Sequence, residues 1–487
     1  MKIELNGNIN RTYAQSLCMA FFHGISFPKS DSESNDNLEL YASIAEQDDF
    51  IVATATLKMG EKEESVTLEY VPTFEPSIER ALKTAIGQAV YSVCQRATGN
   101  KLEWGILTGI RPSKVCAELL LRATEAEVYG ILVDQYLLSP EKARLCIEVA
   151  KNEMHIMSLT SDKRCSVYIS IPFCPSRCNY CSFISYAGKK LFDLIPSYVD
   201  RLVNDIDQTI SLIKEIGLEI SCIYIGGGTP TILDEAQLQR ILGKISDKID
   251  VATLDEFTLE GGRPDTITDE KLKIAKKYGV TRISINPQTL NDAVLESIGR
   301  KHSVDDFFVA FDKFKRSNIS SVNTDLIAGL IGDSLDSFKN TIDRIIELSP
   351  DNVTIHTFCV KKSAQILRDD SNVYNESDDD VALSVRYAHD KLCLKGYIPY
   401  YMYRQKNTIG NLENVGYAKK GFLGLYNVFM MSDAHTVFGI GAGATTKLVK
   451  NGEKNEILRI FSPKYPYEYL RDNQRIDDKI REFFDRR

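Results

Sequence analysis

The sequence predicts an α/β protein in three parts: an N-terminal α+β domain over 1–162, a partial (β/α)6 barrel over 163–368 and a smaller C-terminal α+β domain over 369–487. Two observations carry this. Between 164 and 358, six short apolar runs recur with helical stretches between them, the pattern of a parallel sheet wrapped by helices. The flanks have other textures, and 487 residues exceed one ordinary domain. Six strands, where a closed barrel has eight, predict an open barrel with one side available to a large substrate.

In chain order, residues 1–72 alternate apolar and polar positions, as from Leu38 to Ile44 and from Phe50 to Leu57, which predicts a small antiparallel sheet. Helical spacing follows over 78–96, 112–122 and 140–157, and the Ser-, Asp- and Asn-rich stretch 30–37 reads as an exposed loop. The barrel strands are expected at 166–171, 221–225, 256–259, 282–285, 321–327 and 352–358. Beyond them, 369–380 is acidic and reads as a loop or helix approach, 381–394 as a helix and 397–403 as an aromatic-rich strand. Gly439, Gly441 and Gly443 lack the strand and downstream acid of a dinucleotide fingerprint and read as close-packing positions against the barrel.

With 43% hydrophobic and 26% charged residues the chain can bury sizeable cores. It has no apolar run long enough to span a bilayer, and its first residues lack the apolar block of a signal peptide, so a cytoplasmic location is expected. In that reducing compartment the eleven cysteines read as thiols. A net charge of −8 argues against a large nucleic-acid footprint.

Cys174, Cys178 and Cys181 directly follow the first barrel strand, with three and then two residues between them. Three thiolates can hold three irons of a [4Fe–4S] cluster and leave the fourth open to a small molecule. Pro172, Pro175, Ser176, Arg177 and Asn179 interrupt any core periodicity, so three unrelated buried cysteines are disfavoured. Zinc would want a fourth Cys or His nearby, and none follows within the loop. The other strand ends carry Gly226, Gly227, Gly228 and Thr229; then Glu260; Gln288; and Asp325. Each alone is compatible with a cap or a turn, but polar groups at successive carboxyl ends share one mouth.

At this point the chain resembles the radical S-adenosylmethionine (SAM) enzymes, and among them the oxygen-independent coproporphyrinogen III dehydrogenases. The resemblance rests on Tyr168, Ile171, Pro172, Phe173, Cys174, Cys178, Tyr180 and Cys181, then Gly226 to Thr231, then Gly299, Arg300, Lys301 and His302. Segments 104–114 and 403–407 are similar to the HemZ-like branch. The resemblance implies that Cys174, Cys178 and Cys181 ligate the cluster and that SAM binds the fourth iron. Glu260 with the Gly227, Gly228 and Thr229 turn would meet the SAM ammonium, and Arg300 its carboxylate. Gln288 and Asp325 would hold the ribose, Tyr180, Ile327 and Cys359 would flank adenine, and Tyr168 would stand beside the sulfonium. Electron transfer would then give a 5′-deoxyadenosyl radical that takes a hydrogen from a propionate, with loss of carbon dioxide.

The resemblance also implies a tetrapyrrole substrate and an electron donor such as flavodoxin or ferredoxin. The rings of 400–403 beside Arg404 and Lys406 suit a carboxylate-bearing tetrapyrrole, with Arg404 as its contact; Arg111 and Lys114 are further candidates. His302 reads as a helix-surface residue. A haem-binding transfer protein, with His356 or His435 as an axial ligand, and a radical enzyme acting on another tetrapyrrole are the alternatives.

Overall fold

The computed structural model describes all residues except 23, 28–36, 182–184, 360–377, 406–407, 453–454, 473–475 and 486–487. Most of the expected loop at 30–37, most of the acidic stretch at 369–380, and Lys406 with Asn407 lie outside the described residues. The chain divides into two units, Met1–Lys151 with Met402–Glu413, and Asn152–Tyr401 with Asn414–Arg487, so the sequence beyond 369 is shared between them.

The first unit holds β1 (Lys2–Asn6), α1 (Arg11–Phe21), β2 (Leu38–Glu46), β3 (Ile51–Met59), β4 (Lys62–Tyr70), α2 (Ile78–Thr98), α3 (Pro112–Leu120) and α4 (Glu125–Gly130), and most of α5 (Pro140–Ser158). Its sheet runs β1-β2-β3-β4. The expectation of an antiparallel sheet holds for β2–β4, but β1 joins parallel, because α1 carries the chain back across before β2 begins. Ile51, Ala53, Ala55 and Leu57 alternate inward on β3 and are buried with Ala81, Ala85, Ile86 and Val93 of α2. Ser77 caps the start of α2, and Gly99 ends it in the left-handed conformation that glycine takes without strain.

The second unit is built on β5 (Arg164–Ile171), β6 (Glu219–Gly227), β7 (Glu256–Glu260), β8 (Arg282–Ser284), β9 (Ser321–Ala328) and β10 (Asn352–Thr357), all parallel and in that order across the sheet. All six expected strands are present, and the sheet does not close. Between them lie α6 (Lys189–Phe192), α7 (Ile195–Glu215), α8 (Glu235–Lys248), α9 (Asp269–Lys277), α10 (Asp292–Ser297), α11 (Val304–Ser317) and α12 (Leu335–Leu348), with α13 (Asp378–Leu394) after β10. The sheet extends beyond the expected six. On the β10 side, β12 (Glu413–Ala418) pairs antiparallel, with β11 (Ile398–Arg404) outside it. After α14 (Leu425–Met431), β13 (Thr436–Ile440) joins β5 as a seventh parallel strand, followed by antiparallel β14 (Thr445–Lys450) and β15 (Glu456–Phe461). Two helices, α15 (Pro466–Arg471) and α16 (Asp477–Asp485), end the chain.

Strand alternation separates core from site. Cys165, Val167, Ile169 and Ile171 of β5 are buried, as are Val199, Leu202, Ile206, Ile210 and Ile213 along one stripe of α7. Burying each such aliphatic side chain stabilises the fold by about 1.5–3 kcal/mol. The opposite row is polar: Ser166, Tyr168 and Ser170 on β5, then Tyr224, Thr258, Glu260, Ser284 and Asn323, which stand at matching register positions on the next strands. Gly439 and Gly441 do permit close packing. A Cβ on Gly439 would meet the Thr445 backbone at 2.6 Å, and one on Gly441 would meet Ser170 O at 2.7 Å.

Candidate functional site

The cysteine loop leaves β5 through Pro172 and is fastened at several points. Phe173 and Tyr186 form an isolated bridge, and the Cys174 amide donates to Tyr186 O at 3.0 Å. The Cys181 amide donates to Cys178 O at 3.1 Å, and the Asn179 amide to Ile298 O at 3.0 Å. Cys174, Cys178 and Cys181 are half-buried, whereas Cys18, Cys94, Cys116, Cys146, Cys165 and Cys222 are buried. Burial pushes the Cys174 thiol up to about 11, so it ionises readily only opposite a cation. Among the described residues no three His, Cys, Asp or Glu side chains gather around a single ion. A multi-iron cluster asks instead for one thiolate per iron, which suits three cysteines spread along a loop.

The turn after β6 completes the cradle. Gly227 sits at φ +117, open to glycine, and the Gly228 and Thr229 amides donate to Ile171 O and Phe173 O, each at 2.8 Å. A Cβ on Gly228 would lie 2.6 Å from Phe173 O and 2.9 Å from Cys174 Sγ, so this position must be bare. Buried Thr229 donates its hydroxyl to Cys174 Sγ at 3.4 Å. On the other side, Glu260 Oε2 accepts from the Gly227 amide at 3.2 Å. Desolvation, reinforced by the nearby Asp325 charge, raises Glu260 to about 8. A partly buried carboxylate with no ion-pair partner among the described residues, bonded to a bare glycine turn that also touches Cys174, fits an iron–sulfur cluster with an amino-bearing ligand.

Gln288 follows β8 in the left-handed conformation (φ 71), fixed by its amide to Asp325 O at 3.1 Å and by the Ile327 amide to its own carbonyl at 2.9 Å. A non-glycine residue held there stores strain, a feature that clusters at functional sites. Asn286 Nδ2 donates to Asp325 Oδ2 at 2.8 Å and Asn323 Nδ2 to Oδ1 at 2.7 Å, while His356 Nε2 lies 3.9 Å from Oδ2. Burial pushes Asp325 upward, but His356, Asn323 and Thr354 together outweigh it and hold the carboxyl below its ordinary value. Ile327 is buried, and Cys359 is half-buried just beyond β10.

Arg300 is buried and ties three segments together. Its Nη2 donates to Gly262 O and Asn286 O, both at 2.9 Å, its Nη1 to Tyr180 OH at 3.2 Å, and its Nε to His302 Nδ1 at 3.4 Å. These bonds engage four of the five N–H groups of a guanidinium. Tyr180 also meets Phe358 edge-on at 6.3 Å. His302 corrects the expectation of a helix-surface residue: it is buried in a loop, and burial next to Arg300 lowers it to about 3.

Tyr168 is the outer member of a stack. Its ring lies 6.2 Å from Tyr224 and 6.3 Å from Tyr426, which are 4.6 Å from each other. Sequence reasoning missed Tyr224, Asn286 and Tyr426. Register with Tyr168 could have found Tyr224 and position after β8 could have found Asn286, but Tyr426 arrives from a distant helix. That helix is set by Glu256, which accepts from the Leu425 amide at 2.8 Å, and by Arg282, which donates to Phe422 O at 2.9 Å.

Arg404, the expected tetrapyrrole contact, lies inside the first unit. Its guanidinium is buried, donating to Leu107 O and, at 2.9 Å, to Asn411 O, with the Trp104 ring 5.3 Å away. Trp104 in turn donates to Glu413, which pairs with Lys142 at 2.6 Å. Tyr400, Tyr401 and Met402 are buried core side chains, while Tyr403 is half-buried. His435, a candidate axial ligand, is enclosed: its ring nitrogens meet Ser166 Oγ at 2.9 Å and Thr160 Oγ1 at 3.3 Å, and it stacks on Phe429. Arg111 is half-buried before α3, and Lys114 is exposed in its first turn.

Residues 168–345 match the radical SAM superfamily. The chain is 32% identical, over 90% of its length and 89% of the relative's, to the oxygen-independent coproporphyrinogen-III oxidase-like protein HemZ of Bacillus subtilis (strain 168). It is 30% identical to the heme chaperone HemW of the same organism, over 62% of this chain and 77% of that one. A solved coproporphyrinogen III oxidase (HemN) from Escherichia coli is similar with a TM-score of 0.49 at 21% identity, covering 62% of this chain and 70% of the other. Among the described residues no helix is long and apolar enough to cross a membrane. The superfamily uses a [4Fe–4S] cluster and S-adenosylmethionine. The chain belongs to the radical SAM superfamily, in the family of the oxygen-independent coproporphyrinogen-III oxidase-like protein HemZ.

Proposed function

We propose that the protein catalyses the oxygen-independent oxidative decarboxylation of coproporphyrinogen III to protoporphyrinogen IX. The observation that carries the reading is the Gly227–Thr229 turn, which touches the cysteine loop through Thr229 and the Glu260 carboxylate through Gly227. The likeness to HemZ over nearly the whole chain directs it to a porphyrinogen substrate. When bound, the cluster and SAM supply a hydrogen-abstracting radical at the 5′ carbon of the adenosyl group.

The chain's own residues place and shield this chemistry. Cys174, Cys178 and Cys181 hold three irons. Glu260 would receive the SAM ammonium, and Arg300, which also bonds Tyr180, would use its remaining N–H for the carboxylate, with Tyr180 flanking adenine. Gln288 and Asp325 would accept ribose hydroxyls, with Asp325 kept ionised by His356, Asn323 and Thr354. Ile327 and Cys359 would flank adenine, and Tyr168, stacked on Tyr224, would stand beside the sulfonium.

The test is anaerobic incubation of the reconstituted protein with SAM, a strong reductant and coproporphyrinogen III, following deoxyadenosine and porphyrins by mass spectrometry. Coupled formation of deoxyadenosine and decarboxylated product supports the reading; deoxyadenosine alone contradicts it. The likeness to heme chaperones favours one alternative, a haem carrier, which predicts stoichiometric haem capture with both propionates intact.

A further inference from the structure

Cysteines on a loop hold a cluster only if the chain between them keeps their sulfurs at a fixed separation, and the span from Cys174 to Cys178 has little of its own with which to do so. Pro175 has no N–H to donate. Among the described residues, 175–177 make a single hydrogen bond: the half-buried Ser176 accepts at Oγ from Arg263 Nη1 at 2.9 Å. The second span, from Cys178 to Cys181, is tied by other groups. The Asn179 amide donates to Ile298 O, Asn179 Nδ2 donates to Ser297 O at 3.2 Å, and Tyr180 is held by Arg300.

Arg263 follows β7 and is only 4% exposed. Its Nε and Nη2 donate to the two oxygens of Asp265 at 3.0 and 3.1 Å. A guanidinium gripped along one edge by a carboxylate keeps its remaining N–H groups aimed in one direction, here at Ser176. The backbone beneath it is fixed as well. Thr231 Oγ1 donates to Gly261 O and Thr266 Oγ1 to Arg263 O, each at 2.8 Å. Gly261 has to be bare, because a Cβ there would lie 2.4 Å from Ser284 O.

Between these points, Gly262 O accepts from Arg300 Nη2 at 2.9 Å. The segment 261–265 therefore reaches both cysteine spans, the first directly through Arg263 and the second through Arg300 and Tyr180. A methionine would fill the volume of Arg263, so packing alone does not account for a buried cation at this position; its bonds to Ser176 and Asp265 do.

We infer that Arg263, oriented by Asp265, is a positioning residue for the iron–sulfur cluster: it fixes Ser176 so that Cys174 and Cys178 keep one separation for the irons they hold. The inference rests on the proposed ligation by the three cysteines and is independent of the substrate.

The test exposes the reconstituted protein, without oxygen, to the ferrous chelator bathophenanthroline disulfonate and follows iron loss by absorbance. Ser176→Ala removes the acceptor and leaves the Arg263–Asp265 pair intact. Iron loss should quicken about tenfold or more, the usual cost of losing a group behind a metal ligand, while thermal unfolding of the apoprotein matches wild type. The electron paramagnetic resonance signal of the reduced cluster should change shape. Ser176→Thr, which keeps the hydroxyl, should restore both the rate and the signal. R263M/D265N removes the pair without leaving an unpaired carboxylate and should quicken iron loss to the same extent. Adding S176A to it should change nothing further, because both act through one bond. Wild-type iron loss and an unaltered signal in S176A, or additive effects of S176A and R263M/D265N, would overturn the positioning role. A wild-type protein that takes up no iron and sulfide would overturn the cysteine ligation and this inference with it.

Discussion

The Gly227 amide donates to Glu260 Oε2 at 3.2 Å, which makes the glycine turn after β6 and the carboxylate closing β7 a single ligand-binding feature. A lone amide donor does not compensate Glu260 for its desolvation, and the group is held at about 8, so at neutral pH it is mostly protonated until a cation arrives. Binding of the SAM ammonium should therefore release a proton near pH 7. Glu260→Gln should weaken SAM binding by about ten- to a hundredfold, the worth of one charge-assisted hydrogen bond. It should also abolish the proton release, as measured by calorimetry in buffers of different ionisation enthalpy. The fold should tolerate the change, because a folded-state pKa above the ordinary 4.5 costs the native state stability that is lost progressively as pH rises from about 4.5 to 8 and stays lost above 8, and a neutral amide removes that cost.

Gly228→Ala puts a methyl group against the Phe173 carbonyl and the Cys174 sulfur, neither of which can retreat without moving the cysteine loop. Iron and sulfide content after reconstitution should fall below half that of wild type. Gly243→Ala is the control. Its Cβ would meet Tyr278 at an ordinary 3.7 Å on the exterior of α8, so iron content should be unchanged and stability should rise by about 0.5–1 kcal/mol.

Arg404→Met should act on stability. The change leaves the carbonyls of Leu107 and Asn411 without their donor beneath Trp104, at a cost of about 1–3 kcal/mol for each buried group left unpaired. Thermal unfolding should shift down, while the KM for tetrapyrrole in the folded fraction should stay within twofold of wild type. A large KM rise without loss of stability would return Arg404 to the substrate.

His302 and His435 are both buried, and burial holds each at about 3. A histidine depressed from 6.5 contributes stability that is present above pH 6.5 and is lost as pH falls toward 3, because the unfolded chain takes up the proton first. Each should cost about 1.4 kcal/mol per pH unit below 6.5. Urea unfolding between pH 7.5 and 5 should show this slope, and His435→Asn should remove about one proton's share. An unchanged slope would count against the buried neutral state.

The six parallel strands and the cysteine loop were legible because each is local: apolar runs of strand length, and ligands with fixed spacing followed by a glycine turn. Glu260, Gln288 and Asp325 were legible through one topological rule, that strand carboxyl ends share a mouth. What escaped depends on distant pairing. β13 joins β5 across 270 residues of chain, and nothing in its five residues names its partner. Arg404 reads as a ligand contact beside its tyrosines until Leu107 and Asn411 are seen to take its N–H groups. His302 reads as surface from its charged neighbours Arg300 and Lys301, yet the loop turns it inward against Arg300. Tyr426 becomes part of the site only because Glu256 and Arg282 hold its helix against the barrel interior.

The most direct test of the central claim follows a single hydrogen. Coproporphyrinogen III deuterated at the propionate β carbons should be turned over anaerobically with SAM and reductant, and the deoxyadenosine weighed by mass spectrometry. The account predicts one deuterium in each deoxyadenosine formed, together with loss of carbon dioxide from the substrate. Unlabelled deoxyadenosine alongside an intact substrate would contradict it.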